Sequence, residues 1–189
     1  MEHFWRSVPG FFTFPDFYAW LAEEVPSDCF IAEVGAYKGQ SAACLGVELL
    51  NRKKDAQVHL IDRYADPDGT KEHLAARLQS LPLNLRVAIQ GDSVDVARPY
   101  GDHSLDAVFI DADHTYEAVK ADIEAWLPKV KHGGILAGHD FCEFAPMNFG
   151  VVRAVQERFK RFEVWPGITD GGDAQMQGRH WPVWCVWVP

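Results

Sequence analysis

Short apolar runs alternate with longer amphipathic stretches along most of the chain. "CFIAEV" (29–34), "QVHLID" (57–62), "NLRVAI" (84–89), "LDAVFID" (105–111) and "GILAG" (134–138) read as buried strands. Between them the spacing predicts helices over 39–52, 70–79 and 115–127, with only a short turn or helix near 93–98. In "TYEAVKADIEAWL", Tyr116, Val119, Ile123, Trp126 and Leu127 share one broad face, and Pro128 helps to end the helix. This alternation favours βαβ units. It predicts an α/β, doubly wound, mostly parallel sheet with helices on both faces. Past residue 139 the pattern loosens. "FCEFAPMNFG" reads as a loop, 150–160 as a helix, and 161–165 and 183–188 as a closing strand pair that brings the sheet to seven. Pro182 suits the first residue of a strand. The stretch "GITDGGDAQMQG" reads as flexible and turn-rich.

Composition narrows this picture by exclusion. A chain of 189 residues fits one domain, 1–189, and 48% hydrophobic with 24% charged residues is an ordinary globular balance. No run of eighteen uncharged apolar residues exists, so no membrane partner is expected. The start "MEHFWRSVPGFF" lacks the basic flank and aliphatic stretch of a secretory signal, which makes the cytoplasm the expected location. A formal charge of −9 without a Lys/Arg stripe argues against nucleic acid. "RFKRF" (158–162) mixes basic and aromatic residues, but a solvated helix end explains it equally well. Cys29, Cys44, Cys142 and Cys185 show no CxxC spacing and indicate no disulfide framework. Residues 1–25 are dense in aromatics, which predicts a cap packed on the sheet or a wall of a substrate pocket. Assembly as a homo-oligomer stays open.

The chemistry lies at the strand ends, where ligands of open parallel sheets collect. The first strand ends at Glu33 and opens into Gly35 and Gly39, within "EVGAYKGQS", which also holds Tyr37 and Ser41. The GxxxG spacing lacks the third glycine of the dinucleotide fingerprint. The second strand ends at Asp62, the expected partner of a ribose diol, and the third leads to "GDS", Gly91 to Ser93. Glu33 could instead accept loop amides, and Asp92 could cap a short helix. The fourth and fifth strands end in "DADH" (111–114) and "GHD" (138–140). Asp111 and Asp140 should then face each other, and two close carboxylates repel unless one is protonated or a cation lies between them. A divalent metal, magnesium by its oxygen donors, is one remedy, and His139 as a ligand would move the preference toward manganese, zinc or iron. A metal-free polar rim is the other reading. Asp113 is expected to point away and cap the following helix.

These residues in this order resemble the class I S-adenosylmethionine-dependent methyltransferases. "EVGAYKGQS" is similar to motif I of the small-molecule O-methyltransferases of the catechol type. "IDADHTYEAVKADIEAWLPKVKHGGILAGHD" is similar to the bacterial branch of macrolide-sugar O-methyltransferases and cephalosporin-hydroxylase-like proteins. The resemblance spans residues 28–142 and implies the Rossmann-like methyltransferase fold. It implies that Glu33, Gly35, Tyr37, Gly39 and Ser41 shape the pocket for the cofactor's methionyl part. It also implies Asp62 at the ribose hydroxyls, and Asp92 and Ser93 beside the adenine. Asp111 and Asp140 would bind the metal, Mg2+ or Mn2+, with His139 added as a ligand by its position beside Asp140, and His114 would be the general base. The chain departs from the family around the metal: Phe141 follows Asp140 where the catechol type has asparagine, and His139 replaces an acid of the sugar type. Residues 141–189 match the variable substrate-binding part, for a small hydroxylated acceptor such as a sugar or an aromatic. Two other classes remain: a metal-dependent phosphate-ester hydrolase, which leaves Asp62 and the glycines without work, and a catalytically inactive binding or scaffold protein.

Overall fold

The structure is a computed structural model that describes residues 1–167 and 181–189. Most of the turn-rich 167–178 stretch therefore lies outside the described residues. The strands are β1 (Asp28–Val34), β2 (Asp55–Asp62), β3 (Val87–Gln90), β4 (Leu105–Ile110), β5 (Val130–Gly138), β6 (Glu163–Trp165) and β7 (Val183–Trp187). They form one sheet in the order β3-β2-β1-β4-β5-β7-β6, parallel from β3 to β5 and antiparallel at β7 and β6. β4 is buried at all of its positions, as a strand covered on both faces must be.

The helices are α1 (Pro15–Glu24), α2 (Gln40–Asn51), α3 (Lys71–Arg77), α4 (Ser93–Ala97), α5 (Tyr116–Trp126) and α6 (Val151–Arg158). They divide the core in two. On one face Phe17, Tyr18 and Leu21 of α1 and Leu45 and Leu49 of α2 pack on Ile31, Leu60 and Phe109. On the other, Val119, Ile123 and Trp126 of α5 and Val155 of α6 pack on Val34, Val108 and Leu136. The N-terminal aromatics join the first core: Trp5, Phe12, Phe14 and Tyr18 form edge-to-face contacts over the sheet. Phe11 alone of this group turns outward, 68% exposed.

Several boundaries differ from the sequence reading; β6, for one, starts at Glu163, two residues late. Residues 83–85 form a 3-10 turn and β3 starts only at Val87, because Pro82 opens the turn and the Asn84 side chain donates to the Ala56 carbonyl at 2.6 Å. β5 begins at Val130, four residues early, with an irregular register between Leu105 and Ala107 on β4. β2 begins at Asp55, whose amide donates to the Ser27 carbonyl at 2.6 Å.

Strand order reverses between β1 and β4, so the ends of β1 to β5 share one rim with an opening at this point. Gly35 makes the opening tight. At φ +95, a Cβ there would lie 2.0 Å from the Asp111 carbonyl oxygen. Only glycine lets the β1 loop cross the end of β4 so closely.

Candidate active site

A cleft of about 860 Å³ runs along this rim. Its first half is built on Asp62. Asp62 Oδ2 accepts the Tyr37 amide at 2.7 Å and Oδ1 accepts the Tyr64 amide at 2.8 Å. Both tyrosines have left-handed backbones, φ +44 and +50, so the carboxylate holds two turns that tyrosine rarely adopts. Each oxygen keeps a further lone pair for a ligand. Gly35, Tyr37, Gly39 and Ser41 line the cleft beside it, and Gly39 at φ +88 caps α2.

Asp92 and Ser93 close this half. Asp92 caps α4, accepting the Val94 amide at 3.2 Å, and pairs with Arg63 at 3.0 Å on the exposed edge. The Ser93 hydroxyl donates to Asp122, a buried carboxylate on α5.

Glu33 lies beneath the cleft rather than on it. It is 1% exposed and accepts the Ser41 hydroxyl. Burial pushes its carboxyl up to about 8, against the opposing hydrogen bond from Ser41. Tyr18 and Glu33 perturb each other's ionisation, yet neither the Tyr18 hydroxyl nor Glu33 Oε2 reaches hydrogen-bond geometry with a described atom. Glu33 therefore shapes the cleft through Ser41.

The second half gathers Asp111, His114, His139 and Asp140. His114 Nε2 lies 2.8 Å from Asp140 Oδ2 and 3.4 Å from Asp111 Oδ1. His139 Nδ1 lies 3.2 Å from Asp140 Oδ1 and 3.5 Å from Asp111 Oδ1. Asp140 holds its position in the left-handed region, φ +56. Burial disfavours charge on all four groups, but mutual attraction wins. The carboxylates lift both imidazoles to about 10, and the imidazoles hold both carboxyls below their usual range. Asp113 stands apart, its Oδ1 accepting the Thr115 amide at 2.8 Å at the start of α5.

The donor set fits a divalent cation. Asp111, His139 and Asp140 each offer one ligand atom, all within 4.8 Å of one another. Thr13 Oγ1 lies 2.8 Å from His139 Nε2. If that nitrogen carries the proton, the Nδ1 lone pair faces the two carboxylates, the arrangement of a metal-binding imidazole with an outer hydrogen bond. Two protonated imidazoles would balance the same charge. A second trio, His3, Cys44 and Glu48, lies away from the rim, and Arg52 already engages Glu48.

Aromatic side chains wall the second half. Phe149 stacks on His114 at 4.6 Å and, with Trp181, lines the cleft, while Phe11 stacks over Tyr37 at 6.5 Å. The Gly150 amide donates to the His114 carbonyl at 2.8 Å, tying the start of α6 to this wall. Sequence reasoning misses Thr13, Phe149, Trp181 and Asp122. Only Asp122 leaves a signal: an acid three residues after Val119, on the apolar face of α5.

A family model described as a methyltransferase domain matches residues 32–141. No curated protein matches this chain in sequence. Among solved structures, a protein from Klebsiella pneumoniae assigned as an O-methyltransferase aligns with TM-score 0.67 and 19% identity, covering 96% of this chain and 84% of that one. A protein from Agrobacterium tumefaciens, also assigned as an O-methyltransferase, aligns at 0.58 and 18%, covering 90% and 78%. Precorrin 8w decarboxylase of Methanobacterium thermoautotrophicum aligns at 0.64 and 18%, covering 97% and 94%. Identities this low show a shared fold and nothing finer.

Proposed function

The chain belongs to the methyltransferase-domain family, and from that premise we propose that it moves a methyl group from S-adenosylmethionine to a hydroxyl oxygen of a small molecule. One observation carries the reading: a single cleft joins the Asp62 half to the Asp111–His114–His139–Asp140 cluster. Donor and acceptor can therefore lie end to end, and alignment of two reactants supplies much of a rate enhancement.

S-adenosylmethionine supplies a methyl already activated on a sulfonium sulfur. Asp62, fixed by two backbone amides, offers its remaining lone pairs to the ribose diol. Asp111, His139 and Asp140 would hold a divalent cation, whose chemistry is to stabilise negative charge on oxygen. The His114 imidazole takes the acceptor's hydroxyl proton, the oxygen–methyl bond forms, and the sulfur–methyl bond breaks to leave a neutral thioether. His114 then returns the proton to solvent.

That role needs a neutral imidazole. With bare carboxylates at 2.8 and 3.4 Å its pKa stands at about 10, so near neutral pH the base works only when Asp111 and Asp140 are neutralised by another partner. Phe149 and Trp181 offer apolar faces to the body of the acceptor, which suits an aromatic ring or the apolar face of a sugar. Phosphate-ester hydrolysis would leave the Asp62 half without work.

Calorimetry with S-adenosylmethionine and S-adenosylhomocysteine tests the first half, with micromolar-range binding expected. Transfer of labelled methyl to a panel of phenols, catechols and sugars, with and without chelator, tests the second. Absence of binding to either cofactor form overturns the reading.

A further inference from the structure

Asp122 is a carboxylate that the methyl-transfer reading leaves without a task. It sits on the core-facing side of α5, 3% exposed, yet it lines the cleft beside Ala118 and Ala121. Its Oδ1 accepts the Ser93 hydroxyl, and its Oδ2 makes no hydrogen bond among the described residues. Among the described residues no cation pairs with it either, because Arg63 is drawn to Asp92 on the exposed edge. Burial lifts its pKa to about 6, against the opposing hydrogen bond from Ser93. Near pH 7.5 it is mostly ionised, and its free oxygen opens onto the cleft, where water or a ligand's N–H can donate to it.

The surroundings describe that donor. Ala112, Ala118 and Ala121 give the cleft small apolar walls here, which leave room for a flat ring. Ser93 spends its proton on Asp122 and so fixes the carboxylate's orientation. Asp92, the other acid at this end, already accepts the Val94 amide with Oδ1 and Arg63 with Oδ2. Among the described residues at this end, Asp122 Oδ2 is the carboxylate oxygen that accepts no hydrogen bond, and it lies deeper than the exposed Asp92.

We propose that Asp122 is the residue that selects the cofactor's purine, its Oδ2 accepting an N–H of the adenine 6-amino group. The inference rests on the cofactor reading above and deepens it. A 6-oxo purine would turn a carbonyl oxygen toward the same carboxylate, replacing a hydrogen bond with repulsion between acceptors. Asp122→Asn keeps the size and the Ser93 contact and can offer an amide N–H to a 6-oxo group.

The test is calorimetric binding of S-adenosylhomocysteine and S-inosylhomocysteine to the wild-type chain and to Asp122→Asn, with thermal unfolding recorded on the same samples. The wild type should prefer the 6-amino form by roughly tenfold or more. Asp122→Asn should bring the ratio to near unity or invert it. If the wild type binds both analogues equally, the assignment of Asp122 is wrong and the cofactor reading stands. A folded Asp122→Asn that keeps the wild-type ratio overturns the assignment in the same way. Binding of neither analogue to the wild type overturns the cofactor reading and this inference with it. Should Asp122→Asn fail to fold, the wild-type ratio alone decides.

Discussion

Thr13 Oγ1 lies 2.8 Å from His139 Nε2, joining residues 126 positions apart. The contact brings the N-terminal aromatic segment into the cluster at the ends of β4 and β5. Phe14 reinforces it, its ring centroid 4.6 Å from that of His139. The segment thus does two kinds of work, burying Phe12 and Phe14 in the core while its intervening hydroxyl orients an imidazole.

Thr13→Val should separate these tasks, because it keeps the shape and removes the hydroxyl. Without an outer partner His139 loses its fixed tautomer, and divalent-metal affinity should fall roughly 10–100-fold. Affinity for S-adenosylhomocysteine should hold, and Thr13→Ser should restore the metal. Metal titration by calorimetry checks this. Unchanged metal affinity with lowered thermal stability would reduce Thr13 to a packing residue.

Asp62 carries a structural load as well as its proposed ribose contact. Asp62→Ala strands the Tyr37 and Tyr64 amides, at a cost of about 1–3 kcal/mol for each that stays buried. Asp62→Asn keeps one acceptor and is the cleaner probe. Loss of charge-assisted bonds to the ribose should weaken S-adenosylhomocysteine binding roughly tenfold or more. Calorimetry that finds wild-type affinity in a folded Asp62→Asn sinks the ribose assignment.

Glu33 predicts a pH dependence of stability. Its folded pKa is raised to about 8 by burial, so the native state keeps a proton that the unfolded chain has lost. Stability from this group is fully present below the ordinary carboxyl range, falls as pH rises toward about 8, and is flat beyond. The slope is at most about 1.4 kcal/mol per pH unit. Glu33→Gln retains an acceptor for Ser41 and removes the titration. Its stability relative to wild type should therefore climb between pH 5 and pH 8 in urea unfolding. Parallel curves would mean that Glu33 is ionised in the fold at its ordinary pKa.

Much of the rim is legible in the sequence because carboxylates at the ends of apolar runs are costly unless they have a task there. Asp62, Asp111 and Asp140 stand out in this way, and the structure gathers Asp111 and Asp140 with His114 and His139. The level of Glu33 is harder to read. Strand side chains alternate, and Glu33 shares a face with Ile31 toward α1 and α2, under the loop rather than above it. The start of β3 is misleading because Leu85 looks like a strand residue while Pro82 and Asn84 hold a turn. Thr13 gives no sign, since pairing across 126 residues has no local pattern. Asp122 is readable in principle, because an acid on the buried face of α5 needs a reason to be there.

His114 offers the sharpest test of mechanism. Its Nε2 is held 2.8 Å from Asp140, and its ring lies on Phe149 at 4.6 Å, so it has structural partners as well as a proposed chemical one. As general base, its replacement in His114→Ala should slow the single-turnover methyl transfer by roughly 10²–10⁴-fold with cofactor affinity intact. The sign of the pH effect follows from its raised pKa. Protonated imidazole cannot accept a proton, so the rate should rise with pH. The midpoint should lie near 10 with bare carboxylates and lower when Asp111 and Asp140 are neutralised by an added divalent cation. His114→Ala should lose that limb. A purely structural histidine would behave otherwise: removing its ion pair and ring contact would lower the unfolding temperature while turnover per folded molecule held. Single-turnover rates and thermal unfolding measured on one His114→Ala sample separate the two, and near-wild-type chemistry in the folded variant removes His114 from the reaction.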